Sequence, residues 1–341
     1  MKKRILGLLL CAAVALGAAG CSSSSGNSSQ SSSGSASDSS ASQTASWDAK
    51  NINLIVPLKA GGDTDFYART YAKYLEQELG KTITVINVEG SGGTVGAQQV
   101  CDSAPDGTTM LFYHTGNMYC NKLLGVSDLD HNDFDIAGIG VLDDTNVFVA
   151  SKNSGITDAE DFLSKAKADP GKINIATTIS GFSYYALCKA MAVGGFSLNA
   201  VDVGSASAMV PAVLGDQTET ALNSYGVFKQ YIESGDVVPL FSLGKERNPN
   251  YPDIPTAKEV GLEGAEASRA YFIAFPKGTD ESILKAVSDA MADIQNNEEY
   301  VKAIKDAYCV EPYFVPYNEA VPVLDEMLAD MEQYKDALNN N

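Results

Sequence analysis

Apolar residues recur with two different spacings in the first part of the chain. The run from Ile52 to Val56 is apolar except for Asn53 and stops at a proline, which is typical of a buried strand. After two glycines, apolar side chains return at 67, 71, 74 and 75, that is, at positions i, i+4, i+7 and i+8. This spacing places them on one face of a helix from about Asp65 to Leu79, which Gly80 is suited to end. The pattern predicts a strand, a glycine-containing loop and a helix.

The same alternation continues along the chain. Strands are predicted at 82–88, 110–115, 147–150, 173–177, 221–225, 237–243 and 270–275, and helices from about 94, near 157–168 and at 184–193. Two long helices follow, and the last has an apolar side formed by Val321, Leu324, Met327, Leu328, Met331, Tyr334 and Leu338. Strands that alternate with helices form βαβ units. We therefore expect an α/β protein with mainly parallel sheets, whose ligand binds at the carboxyl ends of strands.

The first 46 residues are predicted to lie outside the folded part. A basic start, an apolar segment and small residues before Cys21 indicate a secretory signal over residues 1–20, and its ending resembles a bacterial lipobox. We expect Cys21 to be lipidated; an ordinary signal peptide cleaved nearby is the alternative. Residues 22–46 contain 15 serines, a composition that cannot bury apolar surface. Residues 21–46 are therefore predicted to be the lipidated cysteine and a disordered tether.

The charge of the chain and its shortage of bases argue against several functions. Acidic residues number 43 against 24 lysines and arginines, which gives a net charge of −19. Such a surface argues against nucleic acid as a partner and against electrostatic attachment to anionic lipids. The histidines are His114 and His131, and no G-x-S-x-G or H-E-x-x-H motif occurs. We therefore expect a protein that is not an enzyme and that needs no cofactor.

Neither the acidic stretch nor the cysteines indicate a metal site. Residues 128–135 lack the glycine and the glutamate that a calcium loop places at its sixth and twelfth positions. We expect a solvated loop there. The cysteines after Cys21 match no zinc spacing, and we expect buried thiols, although an exported protein could pair two of them. They are Cys101, Cys120, Cys188 and Cys309.

Three loops that each join a strand to a helix are rich in small residues. They are residues 59–65, 90–94 and 180–183. Glycines let backbone N–H groups approach a ligand, and the helix N-terminus that follows each loop favours an anion. Serine and threonine hydroxyls add donors. Together the loops indicate a site for an anionic ligand, although a tight turn explains any one of them equally well.

Nucleotide binding explains these loops less well. Residues 90–96 do not satisfy G-x-G-x-x-G, and no G-x-x-x-x-G-K-[ST] occurs. Acidic side chains near the loops would repel an anion if they pointed inward. We expect Asp63, Asp65 and Glu89 to cap helices or face solvent, with Lys59 offsetting them.

With these loops identified, the chain resembles the substrate receptors of tripartite tricarboxylate transporters, the TctC-like or Bug family. The motif I-x-L-I-V-P-x-x-A-G-G-x-x-D-x-x-A-R is present as residues 52–69. The family's E-N-R-P-G-A-G-G-x-x-G is similar to residues 86–96, and P-D-G-Y-T to residues 105–109. Later matches are P-G-K at 170–172, P-D-I-P-T-A-K-E-V-G at 252–261 and F-P-K-G-T at 275–279. The sequence departs from the family in the second half, at residues 181–185 and 202–205, which the resemblance implies would face the distal part of the ligand.

The resemblance implies a two-lobed, type II periplasmic-binding-protein fold with a two-crossing hinge near 143–148 and 267–272. We expect residues 47–145 and 270–341 to form lobe 1 and residues 146–269 to form lobe 2. The resemblance also implies a small carboxylate held by backbone N–H groups, hydroxyls and waters, without an arginine clamp. Partners would be the membrane permease subunits and, through the lipid anchor, the outer face of the membrane. We expect a monomer.

The predicted ligand-binding residues lie in five segments. They are Lys59, Ala60, Gly61, Gly62, Asp63, Thr64 and Asp65; Ser91, Gly92, Gly93 and Thr94; Thr115, Gly116 and Asn117; Ser180, Gly181, Phe182 and Ser183; and Asn223 and Tyr225. Tyrosines at 184, 185 and 225 leave open an aromatic ligand end or a half-buried lobe interface. Two other functions stay open: a lipoprotein that signals ligand presence to a membrane sensor, and an extracytoplasmic enzyme acting on carboxylates.

Overall fold

The structure is a computed structural model, and it describes residues 47–179 and 181–340. The predicted signal (1–20), the lipidated Cys21 with its tether (21–46) and Ser180 lie outside the described residues. Within the described ranges, no helix is both long and apolar enough to cross a membrane.

Strands and helices alternate as the apolar pattern predicts. The strands of the described part are β1 (Asn51–Val56), β2 (Thr82–Asn87), β3 (Thr109–His114), β4 (Phe134–Asp143), β5 (Asn146–Ser151), β6 (Asn174–Thr177), β7 (Asn199–Asp202), β8 (Thr220–Ser224), β9 (Val237–Ser242), β10 (Arg269–Pro276) and β11 (Val315–Pro316). Its α-helices are α1 (Asp63–Leu79), α2 (Thr94–Cys101), α3 (Thr115–Leu123), α4 (Ala159–Ala168), α5 (Phe182–Gly194), α6 (Ala206–Leu214), α7 (Tyr225–Glu233), α8 (Glu281–Ile294), α9 (Glu298–Tyr308), α10 (Tyr317–Glu332) and α11 (Lys335–Asn340). Short 3₁₀ helices lie at Ser91–Gly93, His131–Asp133 and Lys258–Val260.

The first sheet has the strand order β11-β4-β10-β3-β1-β2. Strand β1 pairs in parallel with β2 and β3, whereas β10 runs antiparallel to both β3 and β4. On one face, Tyr67 and Tyr71 of α1 pack with Val287 and Met291 of α8 in a fully buried cluster. Gly80 ends α1 in the left-handed conformation, as expected, at φ 62°. We call this sheet and the helices packed on it the first lobe.

The second sheet has the order β7-β6-β8-β5-β9. Strand β6 pairs in parallel with β7 and β8, whereas β5 runs antiparallel to β8 and β9. Phe148 of β5 stacks on Phe241 of β9, with 4.6 Å between ring centroids, beneath helix α4. We call this sheet with its helices the second lobe.

Both sheets are mixed, whereas the sequence led us to expect mainly parallel ones. The chain passes from one sheet to the other between Asp143 and Asn146 and returns between Ser242 and Arg269. The strands next to these crossings run against the parallel βαβ units, which explains the mixture. The architecture is α/β with two lobes, and the division at residues 145/146 and 269/270 stays a prediction.

The C-terminal part differs from the two long helices that we predicted. It contains four helices, α8 to α11, in the described residues, because the chain breaks at Asn296 and again near Gln333. The predicted apolar side of the last helix is found, with Leu324, Leu328, Met331 and Leu338 buried. Helix α10 packs against β4 and α3, and α11 packs against α5, so this end of the chain touches both lobes.

The solvated loop predicted at 128–135 is wrong in part. Asp130 and Asp133 cap a short 3₁₀ turn, and Phe134 begins the buried strand β4. His131 is fully buried, bonds Tyr119 at 2.8 Å and lies 3.0 Å from an Asp325 carboxylate oxygen. The acidic composition of residues 128–135 predicted exposure, because the partners that bury His131 come from other parts of the chain.

Candidate functional site

A cavity of about 680 Å³ lies between the two sheets, at the carboxyl ends of six strands. These are the parallel sets β1, β2, β3 and β6, β7, β8. We call this cavity the cleft. Its position agrees with the rule that ligands of α/β sheets bind beyond the carboxyl ends of strands, and its size suits a small molecule.

Most of the predicted site residues line the cleft. They are Lys59, Ala60, Gly62, Asp63, Thr64, Gly92, Gly93, Asn117, Gly181, Phe182, Ser183 and Asn223. The structure places others outside the lining: Gly61, Asp65, Ser91, Thr94, Thr115, Gly116 and Tyr225. Residues 202–205, where the sequence departs from the family, also line the cleft, and the lining residues that were not predicted include 206–208, His114 and Arg269. Contact of any of these residues with a ligand stays a prediction.

Asp65 holds the loop after β1 in shape instead of facing the cleft. Its carboxylate accepts the Gly61 amide at 3.0 Å, the Arg69 Nε at 3.0 Å and the Asn87 Nδ2 at 3.0 Å. Burial alone would raise the pKa of Asp65, but these hydrogen bonds and the Arg69 charge together lower it. The charged carboxylate of Asp65 therefore joins the loop, α1 and β2 through hydrogen bonds.

The loop after β2 can be built only with glycines at its centre. Gly92 and Gly93 have φ values of 62° and 109°, in the left-handed region that side chains disfavour. Tyr113 Oη donates to the Gly92 carbonyl at 2.6 Å, and a Cβ on Gly93 would overlap this hydroxyl. The glycines therefore allow the loop to lie directly on the end of β3, where Gly92 and Gly93 line the cleft.

Helix α3 carries one of the direct links between the lobes on the cleft side. His114 caps this helix, because its Nδ1 accepts the Asn117 amide at 3.3 Å. Asn117 Oδ1 in turn accepts the amide of Phe182, the first residue of α5, at 3.1 Å. A Cβ on Gly116 would lie 2.6 Å from the Phe182 Cβ, which explains why a glycine stands there. Gly116 thus contributes to lobe packing and not to the cleft lining.

The second-lobe wall is formed by residues 178–183 and 202–208 together with Asn223. Ser183 Oγ lies 3.0 Å from Thr177 Oγ1, so this hydroxyl ties the start of α5 to the end of β6. Tyr225 lies away from the cleft and stacks on Tyr251, with ring centroids 4.1 Å apart. Tyr185 reaches Asp330 in the C-terminal helices. The tyrosines therefore belong to packing surfaces, the second of the two explanations left open by the sequence.

The floor of the cleft holds a buried ionic cluster that the sequence did not reveal. Arg269, the first residue of β10, is 6% exposed and donates to carboxylates of both Asp63 and Asp143, the latter at 2.8 Å. It also donates to Ser224 Oγ at 2.7 Å, a residue of the second lobe. Burial would lower the pKa of Arg269, but Asp63 and Asp143 raise it well above its usual value. We call these four residues the cleft-floor cluster.

The histidine beside this cluster is neutral. His114 is 1% exposed, and burial together with the nearby Arg269 charge lowers its pKa well below 6.5, although Asp143 acts in the opposite direction. In the residues described, no group of three or more metal-ligating side chains is gathered. The cleft offers hydrogen-bond donors and acceptors beside apolar side chains such as Leu58, Ile179 and Phe182, a mixture that suits reversible binding of a small molecule.

The fold and this cleft define a two-lobed solute receptor of the periplasmic-binding-protein kind. A family model described as "Tripartite tricarboxylate transporter family receptor" matches residues 67–333. The chain belongs to this family of solute-binding receptors, as its motifs led us to expect.

Individual relatives agree with this assignment. The BugT protein of Bordetella pertussis is 25% identical over 261 residues, covering 76% of this chain and 80% of BugT. MatC from Rhodopseudomonas palustris, solved with bound malate, has the same fold, with a TM-score of 0.73, 22% identity and coverage of 84% and 98% of the two chains. A second R. palustris protein, solved with adipate, has a TM-score of 0.79, 20% identity and coverage of 86% and 98%.

Proposed function

We propose that this receptor captures a small carboxylate in the cleft and delivers it to the permease subunits of a tripartite tricarboxylate-type transporter. The observation that carries the proposal is the convergence of glycine-lined loops from both lobes on one cavity, with His114 and Arg269 on its floor. Backbone amides, an imidazole and a guanidinium are suitable donors for a carboxylate. Malate and adipate in the two structural relatives support the same ligand class.

Lobe closure is the proposed mechanism, without a covalent step or catalysis. Few direct hydrogen bonds cross between the cleft walls, and the one from Phe182 to Asn117 is a bond that opening would break. A ligand that contacts both walls binds the closed form better than the open form, and it shifts the population accordingly. The permease would then recognise the closed shape.

Ligand binding is tested by calorimetry on the purified protein. Mono-, di- and tricarboxylates and aromatic acids are titrated separately, with neutral sugars and polyamines as negative panels. We expect at least one acid to bind with a Kd near or below the micromolar range, about −8 kcal/mol. Binding of only neutral or purely cationic compounds would contradict the proposal.

We further propose that Cys21 carries a lipid anchor which holds the receptor at the outer face of the cell membrane. The serine-rich residues 22–46 would act as the tether between the anchor and the fold. The test is Cys21→Ser followed by fractionation of cells. Release of the variant from the membrane fraction is expected, whereas equal membrane association of both forms would contradict the anchor.

The transport role needs its own measurement. Uptake of the bound acid by cells that contain the permease is expected to depend on the receptor. The control is a receptor with intact stability and abolished ligand binding. Uptake that is unchanged without the receptor would favour a sensing role instead.

A further inference from the structure

A second cavity, of about 500 Å³, lies at the hinge between the two lobes. Both crossings line it, through Leu142, Asp144, Leu243 and residues 266–268, and so do helices α5 and α10. Helix α5 belongs to the second lobe, whereas α10 packs on β4 of the first. We call this cavity the hinge pocket. Cavities between lobes are frequent sites for small ligands, and its volume lies within the range of about 300–1,000 Å³ that such sites occupy.

The hinge pocket and the cleft lie on opposite faces of the two crossings. Arg269 lines the cleft and donates to Asp143 at 2.8 Å, whereas Ser268 and residues 142 and 144, their neighbours in the chain, line the hinge pocket. This alternation is expected of extended chain, because successive side chains point to opposite faces. Within residues 47–179 and 181–340, no residue lines both cavities. A ligand of the hinge pocket would therefore not compete with a ligand of the cleft.

The helical wall of the hinge pocket is largely apolar. Val323, Met327 and Met331 of α10 line it together with the rings of Tyr185 and Tyr334. The two rings lie 6.3 Å apart between centroids, with an angle of 74° between their planes. Thioether and aromatic side chains pack well against apolar ligands of different shapes. This wall therefore suits an apolar or aromatic ligand body.

The charged groups of the hinge pocket favour a cation over an anion. Lys189 is already paired, because its Nζ lies 2.8 Å from Asp330 Oδ2, and this oxygen also accepts from Tyr185 at 3.0 Å. Beside this pair, the charged lining residues of the described chain are one lysine, Lys245, and three acids, Asp144, Glu266 and Glu326. Carboxylates in excess attract an ammonium group and repel a second anion.

We propose that the hinge pocket is a second binding site, which takes an amphipathic amine and whose occupation strengthens ligand binding in the cleft. The apolar body packs on α10 and the tyrosine rings, and the ammonium group pairs with the carboxylate of Glu326. Both lobes and both crossings form the pocket, so a ligand that fits it stabilises the lobe arrangement described here, in which Asn117 accepts the Phe182 amide. Amine binding is independent of the proposed function, whereas the coupling to the cleft rests on it.

Amine binding is measured first, by calorimetry on the purified protein without any added acid. The probes are two matched pairs, 2-phenylethylamine with 2-phenylethanol and hexylamine with 1-hexanol, at neutral pH and low salt, where ion pairs at a partly exposed rim are least screened. In at least one pair the amine is expected to bind about threefold more tightly than the alcohol. Failure of both amines to bind, or equal binding by the alcohols, would overturn the proposed site.

Matched variants of α10 locate the bound amine. Met327 and Ala329 both lie on this helix, but only Met327 lines the hinge pocket. Met327→Trp fills part of the cavity and is expected to weaken amine binding at least about tenfold, whereas Ala329→Trp should leave it unchanged. Glu326 and Glu332 form a second pair, both exposed, of which only Glu326 lines the pocket. Glu326→Gln should abolish the advantage of the amine over the alcohol, and Glu332→Gln should retain it.

An amine that binds Met327→Trp and Glu326→Gln as tightly as the unmodified protein would lie elsewhere, and the assignment would be wrong. The Glu326→Gln result keeps this test decisive if Met327→Trp does not fold, because the glutamate is exposed.

Coupling is measured as the affinity of an acid for the cleft with and without a saturating amine. The acid is the tightest-binding member of the carboxylate panel titrated above. We expect the amine to tighten acid binding by at least about fivefold, and the acid to tighten amine binding by the same factor, because linkage is reciprocal. Unchanged or weaker acid binding beside a bound amine would overturn the coupling. If no acid binds at all, the proposed function fails, and the amine titrations still decide whether the hinge pocket is a site.

Discussion

Two charged clusters connect the lobes, and they differ in their access to water. In the cleft-floor cluster, Arg269, Asp63, Asp143 and Ser224 are all buried. In the second cluster, which we call the C-terminal cluster, Lys189 of α5 is buried, but the side chain of its partner Asp330 in α10 is 51% exposed. Tyr185 completes it by donating to Asp330 at 3.0 Å. A carboxylate that loses its cationic partner is therefore left buried without a counter-ion in the first cluster, whereas water can solvate it in the second.

The clusters also differ in what crosses between the lobes. At the cleft floor both ion pairs join residues at the first sheet, and the second sheet is reached through Ser224, which accepts from Arg269 and donates to Asp143. In the C-terminal cluster the ion pair itself crosses, from α5 of the second lobe to α10, which packs on the first. The energy that an ion pair contributes and its role in joining the lobes are therefore separate properties. The buried pairs stabilise the first lobe, whereas the weaker, more exposed pair joins the two lobes.

The largest effect is expected for Arg269→Met. The change leaves Asp63 and Asp143 buried without their cation, and removing one partner of a buried ion pair destabilises by about 3–5 kcal/mol. The measurement is the free energy of unfolding in urea. Lys285→Met is the control, because Lys285 pairs with Asp289 at 2.6 Å and both side chains are more than half exposed. Its loss should stay near or below about 1 kcal/mol. Equal losses in the two variants would mean that burial does not distinguish these pairs.

A second effect of about 1–3 kcal/mol is expected for Gly116→Ala, through overpacking where the lobes touch. The added methyl would lie 2.6 Å from the Phe182 Cβ. Because Gly116 has an ordinary helical backbone, the strain falls on the contact between α3 and α5. Ligand affinity should therefore fall together with stability.

Phe182→Ala in the same chain tests this explanation of Gly116. If the methyl acts through Phe182, the loss from Gly116→Ala should shrink by at least about 1 kcal/mol in the Phe182→Ala background. Additive losses in unfolding free energy would show that the methyl acts elsewhere.

The cleft loops could be predicted from the sequence because their signals are local. An apolar run that ends at a proline, two glycines and regularly spaced tyrosines identify the turn at 59–65, and the structure finds the helix there beginning at Asp63. Asp63 and Asp65 were expected to cap helices or face solvent, and this was wrong: both are buried, Asp65 accepting the Gly61 amide and Asp63 accepting from Arg269. Local patterns also identified the second loop at 90–94.

Arg269 could not be predicted in the same way. Arg269 comes directly before the apolar run of β10, where a charged residue usually marks an exposed strand end. No neighbouring residue indicates that it is buried. Its partners lie 206, 126 and 45 positions away in the chain. Only the assembled fold brings Asp63, Asp143 and Ser224 to one guanidinium. The resemblance to the family even predicted a site without an arginine clamp, and it gave no sign of an arginine on the floor.

A smaller, pH-dependent effect is expected from His114, which senses the cleft-floor cluster. Burial and the Arg269 charge hold its pKa well below 6.5 in the folded state. Below pH 6.5 the unfolded chain therefore binds a proton at His114 that the folded chain does not bind. The free energy of unfolding is unaffected by His114 above this pH and decreases as pH falls below it, by at most about 1.4 kcal/mol per pH unit. His114→Gln should give a shallower decline in unfolding free energy between pH 6.5 and 5, and identical declines would contradict the assignment.

The smallest effect is expected for Lys189→Met, which breaks the ion pair of the C-terminal cluster. Methionine fills the space of the buried lysine stem, and water can solvate the exposed Asp330, so the loss should be at most about 1 kcal/mol. The contrast with Arg269→Met sharpens the comparison of the two clusters.

If the ion pair helps to hold the lobes together, Lys189→Met should increase the ligand association rate more than it changes stability, because opening becomes easier. Asp330→Asn is the matched variant and should act in the same direction. A loss of about 3 kcal/mol or more is what removal of one partner from a buried ion pair costs. Such a loss would show that water does not solvate Asp330 effectively in the folded protein.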